Sequence, residues 1–180
     1  IQPADLTQAL ATGARNKGAE IYRNTTVIGI KQNKDGWVVE TDKGSIECEH
    51  VISCSGNFAR QTGKMVGLEI PVIPVEHQYI VTEPHPEIQK RKKDGLPEMG
   101  VLRDSDTQWY MREEAGGLLL GPYEKGAPCC YVDGPSKDSE YELFQEDLER
   151  LAPHIEGAIH RVPAFGEVGV KKVYNGAICY

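Results

Sequence analysis

Between residues 26 and 53, strand-forming stretches and short turns alternate so closely that only an antiparallel meander fits them. The spacing predicts strands over 26–32, 37–41 and 45–53. Asp35-Gly36 separates the first two, and an Asp-Gly pair readily supplies the positive φ of a tight hairpin. Asp42-Lys43-Gly44 makes the second turn. Connections this short leave no room for the crossover that parallel neighbours need. The third strand ends in Ser53-Cys54-Ser55-Gly56, all small, where another backbone or a ligand can approach closely.

Elements of other periods flank the meander. Leu6, Ala9, Leu10 and Ala14 form the stripe of an amphipathic helix over 3–17. Pro3 and Asp5 suit its start, and Gly18 its end. A short strand over 19–22 and a short helix over 59–66 are predicted on either side. Pro71-Val72-Ile73-Pro74 is stiff and extended, and marks the boundary between two lobes. Beyond it, residues 75–82 alternate as a strand, and 88–95 read as a lysine-rich solvated loop or helix end. Further strands are predicted over 101–103, 108–112 and 118–121, with a loop over 136–139. Tyr141, Phe144, Leu148 and Leu151 predict a helix over 141–151. Pro153 reads as a bend, and Ile155, Ile159 and Val162 as a second amphipathic stretch. Strands close the chain over 168–174 and from 177 onward.

Composition narrows the function. The 180 residues suit one domain, or two lobes that share one sheet, and 39% hydrophobic and 26% charged residues exclude a disordered chain. A net charge of -7 without a Lys/Arg stripe argues against nucleic acid as partner. No apolar run approaches the ~20 residues of a membrane span. The chain starts at Ile1, without the basic and apolar regions of a signal peptide, and stops at Tyr180 in what reads as a running strand. We expect a piece of a longer protein.

Five cysteines, two adjacent and none in a C-x-x-C, make neither a disulfide framework nor a zinc set. They imply a reducing compartment, with Cys48 and Cys54 as small buried apolar residues and Cys129-Cys130 unbridged. The stretch from Gly121 to Gly126 has the first spacing of a phosphate loop, but Ala127-Pro128 replaces the required Lys-Ser/Thr. Asn24-Thr25-Thr26 matches a glycosylation acceptor by chance. His154 and His160 lack companions at metal-ligand spacing, so no metal site is expected.

The strand over 75–82 carries more. Val75, His77, Tyr79 and Val81 share one face, and Glu76, Gln78 and Ile80 the other. An imidazole and a phenol side by side on an otherwise apolar face are either a hydrogen-bonded core pair or the lining of a pocket. Within 108–112, Trp109 and Met111 face one way, Tyr110 and Arg112 the other. Arg103 and Arg112 each stand near a strand end, as a carboxylate clamp or an ordinary ion pair.

These pieces, in this order, resemble one family. The likeness rests on Gln2-Pro3-Ala4-Asp5-Leu6, on Thr26-Val27-Ile28-Gly29-Ile30 and on Val51-Ile52-Ser53-Cys54-Ser55-Gly56-Asn57-Phe58-Ala59. It continues through Pro74-Val75-Glu76-His77-Gln78-Tyr79, Val101-Leu102-Arg103-Asp104 and Gly117-Leu118-Leu119-Leu120-Gly121-Pro122-Tyr123-Glu124 to Val173-Tyr174-Asn175-Gly176. The chain resembles the middle of an FAD-dependent amine oxidoreductase of the dimethylglycine and sarcosine dehydrogenase group, within the D-amino-acid-oxidase superfamily. The His-Gln-Tyr strand and the Gly-Pro-Tyr-Glu stretch are its more specific marks.

The resemblance implies an α+β / α/β fold. Residues 1–68 would be the central segment of a glutathione-reductase-like FAD-binding domain with its meander. Residues 69–180 would be a mixed-sheet substrate domain with helices on one face. FAD would be held mainly by segments outside this chain, with contacts here at Val27, Ser53, Cys54, Ser55 and Gly56. Asn57-Phe58 departs from the family's Gly-x-Trp pattern. His77 and Tyr110 match residues that line the amine site and carry the catalytic roles, with Tyr79, Arg103 and Tyr123 as substrate contacts. The implied partners are a small-molecule amine and an electron acceptor, oxygen or a carrier protein, and some members add a folate-binding region. A bacterial parent would be cytoplasmic, a eukaryotic one mitochondrial. The family also holds non-catalytic regulatory subunits of phosphatase complexes, and flavin enzymes for other amines. The isolated piece is expected to be inactive.

Overall fold

The computed structural model describes residues 2–137, 139–140 and 142–179. The chain divides into two compact units, residues 1–53 with 63–68, and residues 54–62 with 69–180.

The first unit holds helix α1 (Pro3–Asn16) and the meander of β1 (Val27–Gln32), β2 (Trp37–Thr41) and β3 (Gly44–Cys48). Proline occupies the first turn of α1. At the other end Gly18, at φ 90, turns the chain so that Ala19 N–H reaches the Ala14 carbonyl at 3.0 Å. The stripe of α1 faces outward, with Leu6 and Leu10 both exposed. The three strands pair antiparallel, and reciprocal bonds between Thr26 and Asp42 close the base of the hairpin.

Three details of this unit differ from expectation. Gly36 does not take a positive φ; the loop spans residues 33–36, and a side chain on Gly36 would fall 2.4 Å from the Cys48 carbonyl oxygen. The third strand stops at Cys48, because its partner β2 begins at Trp37, the residue paired with Cys48. Residues 49–53 and 19–22 lie in no strand.

The second unit is built on one five-stranded sheet. Its strands are β4 (Val75–Thr82), β5 (Leu102–Asp104), β6 (Trp109–Glu114), β7 (Gly117–Pro122) and β8 (Val170–Ile178), in the order β5-β6-β7-β4-β8. Every pairing is antiparallel, where a mixed sheet was expected. The β6–β7 turn places Ala115 and Gly116 at φ 51 and 82, which fits a two-residue hairpin. Helix α2 (Ala59–Lys64) follows a 3-10 turn at Gly56–Phe58 and is shorter than expected.

Helix α3 (Pro86–Lys93) takes up most of the lysine-rich stretch that was expected to be a solvated loop or helix end. Proline fits its first turn, His85 Nδ1 caps the Glu87 N–H at 3.2 Å, and Ile88 is buried. Helix α4 (Leu148–Arg161) begins later than expected and continues through Pro153. Asp147 starts it by accepting the Arg150 N–H at 3.0 Å. Phe144 instead donates its N–H to the Asn175 carbonyl at 2.8 Å, while Tyr141 lies outside the described residues. The two strands expected at the end are one, β8, in which Asn175 and Gly176 are rungs opposite Gln78 and His77.

The core lies on one face of this sheet. Ile80, Trp109, Met111, Leu118 and Leu120 pack with Ile88 of α3, Leu151 and Ala158 of α4, and Phe165. Burying these side chains is the main stabilising term of the unit. Both helices therefore cover the same face. The other face carries His77, Tyr79 and Tyr110.

Candidate active site

The alternation of β4 decides what faces where. Gln78, Ile80 and Thr82 are buried, whereas His77 and Tyr79 are half-buried. The core therefore takes the face of Gln78 and Ile80, and His77 and Tyr79 stand half-buried on the opposite face, where Val81 is also buried. For β6 the expected division holds, with Trp109 and Met111 buried and Tyr110 and Arg112 on the open face.

Tyr110 sits opposite Gly121 in the β6–β7 register and Arg103 in the β5–β6 register. Its ring lies directly over Gly121: a Cβ there would be 2.2 Å from Tyr110 Cζ. Glycine at this position lets the phenol lie across the sheet. Tyr123, just past β7, gathers the rest. Its ring centroid is 5.9 Å from that of Tyr110 and 6.1 Å from that of His77, and the Arg103 guanidinium stands 5.7 Å from it. His77, Tyr110, Tyr123 and Arg103 thus form one cluster. Tyr79 stacks instead on Tyr174 at 4.7 Å, and Lys172 caps that pair. Arg112 is engaged by Glu114 at 2.6 Å, an ordinary ion pair.

A cavity of about 300 Å³ is lined by Val75, Glu76, His77, Tyr123, Glu124 and Ala127. Partial burial pushes the His77 imidazole below its ordinary value, and the Glu124 carboxylate partly opposes this. His77 is thereby biased toward the neutral, proton-accepting form. Burial, and then the neighbouring Tyr174, push the Tyr79 phenol up.

Sequence reasoning missed the polar network behind this face. Glu124 accepts from the Gln78 main-chain N–H at 3.1 Å, from Gln78 Nε2 at 3.0 Å and from Arg150 Nε at 2.8 Å. Arg150 also reaches Glu76 at 3.1 Å, and Asn175 Nδ2 donates to Glu76 at 2.9 Å. The available signal was Glu76 and Gln78 sharing the strand face of Ile80, since polar groups on a core face need buried partners.

The residues expected at the cofactor fall in both units. Val27 opens β1 opposite Thr41 and is exposed, and Ser53 is exposed at the end of its segment, both in the first unit. In the second unit Cys54 is exposed, Ser55 half-buried, and Gly56 takes φ 53 as it enters the 3-10 turn. Cys54 was expected to be buried; the strand that would have carried it ends at Cys48, itself half-buried. All five cysteines are free thiols.

Among the described residues no helix is long and apolar enough to cross a membrane. Comparison with known proteins bears directly on this arrangement. The family described as DAO, FAD dependent oxidoreductase, matches residues 1–180. Mitochondrial dimethylglycine dehydrogenase of Rattus norvegicus is 40% identical over 100% of this chain and 21% of its own length. Mitochondrial sarcosine dehydrogenase of Mus musculus is 32% identical over 98% of this chain and 19% of its own. The mitochondrial pyruvate dehydrogenase phosphatase regulatory subunit of Mus musculus is 31% identical over 97% of this chain and 20% of its own. The chain thus spans about a fifth of the length of these relatives. Among solved structures, L-proline dehydrogenase from P. horikoshii shares the fold, with a TM-score of 0.73 at 22% identity over 98% of this chain and 43% of that one. The family match over residues 1–180 and relatives at up to 40% identity agree, and the chain belongs to the DAO family of FAD-dependent oxidoreductases.

Proposed function

We propose that the parent protein oxidatively demethylates an N-methylated glycine, dimethylglycine or sarcosine. In this reading residues 1–68 belong to the FAD-binding domain and residues 69–180 form the substrate domain. The exposed, small-residue stretch Ser53-Cys54-Ser55-Gly56 suits a cofactor held through main-chain contacts, and exposed Val27 offers a main-chain contact at the start of β1. A flavin bound there would supply the two-electron sink for the hydride leaving the N-methyl carbon.

The chain's own residues supply orientation and proton transfer. A protonated amine is a poor hydride donor, because its lone pair must be free to form the C=N bond. His77 Nδ1 or Nε2 takes the ammonium proton, and the half-buried setting that keeps this imidazole neutral favours the transfer. Tyr110 and Tyr123 hold the amine against the sheet, and the exposed Arg103 offers its guanidinium to the carboxylate. Tyr79, stacked on Tyr174, walls the site. The iminium product is hydrolysed to formaldehyde or passed to folate where the parent carries such a region. Electrons leave to oxygen or to a carrier protein. A eukaryotic parent belongs in the mitochondrial matrix, as the relatives' names indicate for theirs.

The observation that carries this reading is the His77–Tyr123–Tyr110 cluster, in which His77 and Tyr123 come from the two stretches most specific to the group and Tyr110 lies over Gly121. The test is anaerobic addition of dimethylglycine and of sarcosine to the full-length protein, watching the flavin band near ~450 nm. Bleaching by either amine is expected. A flavin band that neither amine bleaches points to another amine. A colourless protein favours the second reading, a non-catalytic regulatory subunit, which the likeness to the phosphatase regulatory subunit supports.

A further inference from the structure

The polar network behind β4 is joined to the site by single peptide steps. Glu124 directly follows Tyr123, and Gln78 directly follows His77. The bond from the Gln78 main-chain N–H to Glu124, at 3.1 Å, therefore ties together the two segments that present the ring pair. The Glu124 side chain is 2% exposed and its other oxygen is anchored on α4 through Arg150, at 2.8 Å. Arg150 also serves Glu76, at 3.1 Å, and Asp147, at 3.7 Å, so one guanidinium answers three carboxylates.

We propose that Glu124 is a positioning residue of the site: it fixes the His77–Tyr123 pair through Gln78 and tunes the imidazole by its charge, under the control of Arg150. This rests on the reading of His77 as the proton acceptor. Among the described residues, the groups facing His77 are Tyr123 and Glu124 from the segment after β7, and Glu76 from its own strand on the same cavity. Arg150 of α4 stands behind both carboxylates, and the β8 residue opposite His77 is Gly176, which carries no charge. Removing the Glu124 charge lowers the imidazole further, because that charge is the one raising it. Removing the Arg150 charge uncovers Glu124 and raises the imidazole. A merely structural clamp has no reason to move the two in opposite directions.

The test uses the full-length, flavin-loaded protein labelled with 13C at histidine Cε1, with His77→Asn to assign the resonance. Glu124→Gln is expected to move the His77 titration down by about half a pH unit, and Arg150→Gln to move it up by a similar amount. Arg150→Lys, which keeps the charge, is expected to restore it. The acid limb of kcat/KM follows the same order. A His77 titration that stays put in both charge-removing variants, or moves the same way in both, overturns the inference. Should Glu124→Gln fail to fold, the Arg150→Gln and Arg150→Lys pair decides alone: equal titrations overturn it. The functional reading fails separately, if His77→Asn keeps the wild-type acid limb.

Discussion

Gly121→Ala isolates the geometric core of the proposal. The added methyl would sit 2.2 Å from Cζ, 2.3 Å from Cε1 and 2.5 Å from Oη of Tyr110. Carbon atoms pack at about 3.5 Å, so the deficit is ~1.3 Å. Gly121 is a rung of β7 between paired strands and cannot retreat, so the phenol must lift off the sheet by about that distance. The strain is at the low end of the ~1–3 kcal/mol that overpacking costs, because the ring is half-buried and moves toward the open side. Misplacing a substrate-positioning group by about 1 Å costs on the order of 100-fold. We expect kcat/KM for dimethylglycine to fall about 100-fold while the thermal midpoint changes little. Anaerobic stopped-flow reduction of the full-length protein measures the first, and calorimetry the second. The decisive control is a double-mutant cycle. In a Tyr110→Ala background nothing remains to clash, so Gly121→Ala is expected to be nearly silent. A full loss in that background too would refute the account of Gly121 as the cradle of Tyr110.

Other expectations concern stability. Thr82→Val strips the acceptor from the buried Leu118 N–H, bonded at 2.9 Å, and is expected to cost about 1–3 kcal/mol by denaturant unfolding. Lys31→Met, which breaks the exposed pair with Glu40, is expected to cost no more than ~1 kcal/mol in the same assay. Asp147→Ala removes the cap of α4 and is expected to cost about 1 kcal/mol. The folded state holds His77 below its ordinary value, so the unfolded chain binds more protons between that lowered value and ~6.5. Stability therefore falls as pH drops through this window, and His77→Asn is expected to flatten the slope. An unchanged slope would contradict the partial burial of the imidazole.

Local pattern foretold what local forces decide. Residues 75–82 alternate with period two, and β4 is a strand over the same residues. The meander and α1 were legible for the same reason. The stripe Tyr141, Phe144, Leu148 and Leu151 has helical spacing, yet Phe144 lies outside the helix that holds Leu148 and Leu151. Asp147 offers a cap, and Phe144 finds a main-chain partner in Asn175, 31 residues along the chain from it. Asn175-Gly176 reads as a turn by residue type, but in β8 Asn175 is buried and bonded to Glu76, 99 residues away in sequence. Contacts that distant leave no trace in a window of local sequence. At the site, the residue types were legible but not their facing. The even positions of β4 include two polar residues whose partners lie far along the chain, Arg150 and Asn175 for Glu76, and Glu124 and Asp147 for Gln78.

The two-sidedness of β4 divides the freedom to change. Odd positions present His77 and Tyr79 to whatever enters the site, while even positions hold the strand to α4, β7 and β8. A lineage can exchange the odd side chains to accept a different amine without disturbing the anchors, one substitution at a time. Inserting or deleting a single residue within the strand has no such mild route, because it exchanges the two sets wholesale. Substrate range in a chain of this design is therefore expected to drift by replacement along β4 and by insertion only in the loops that flank it.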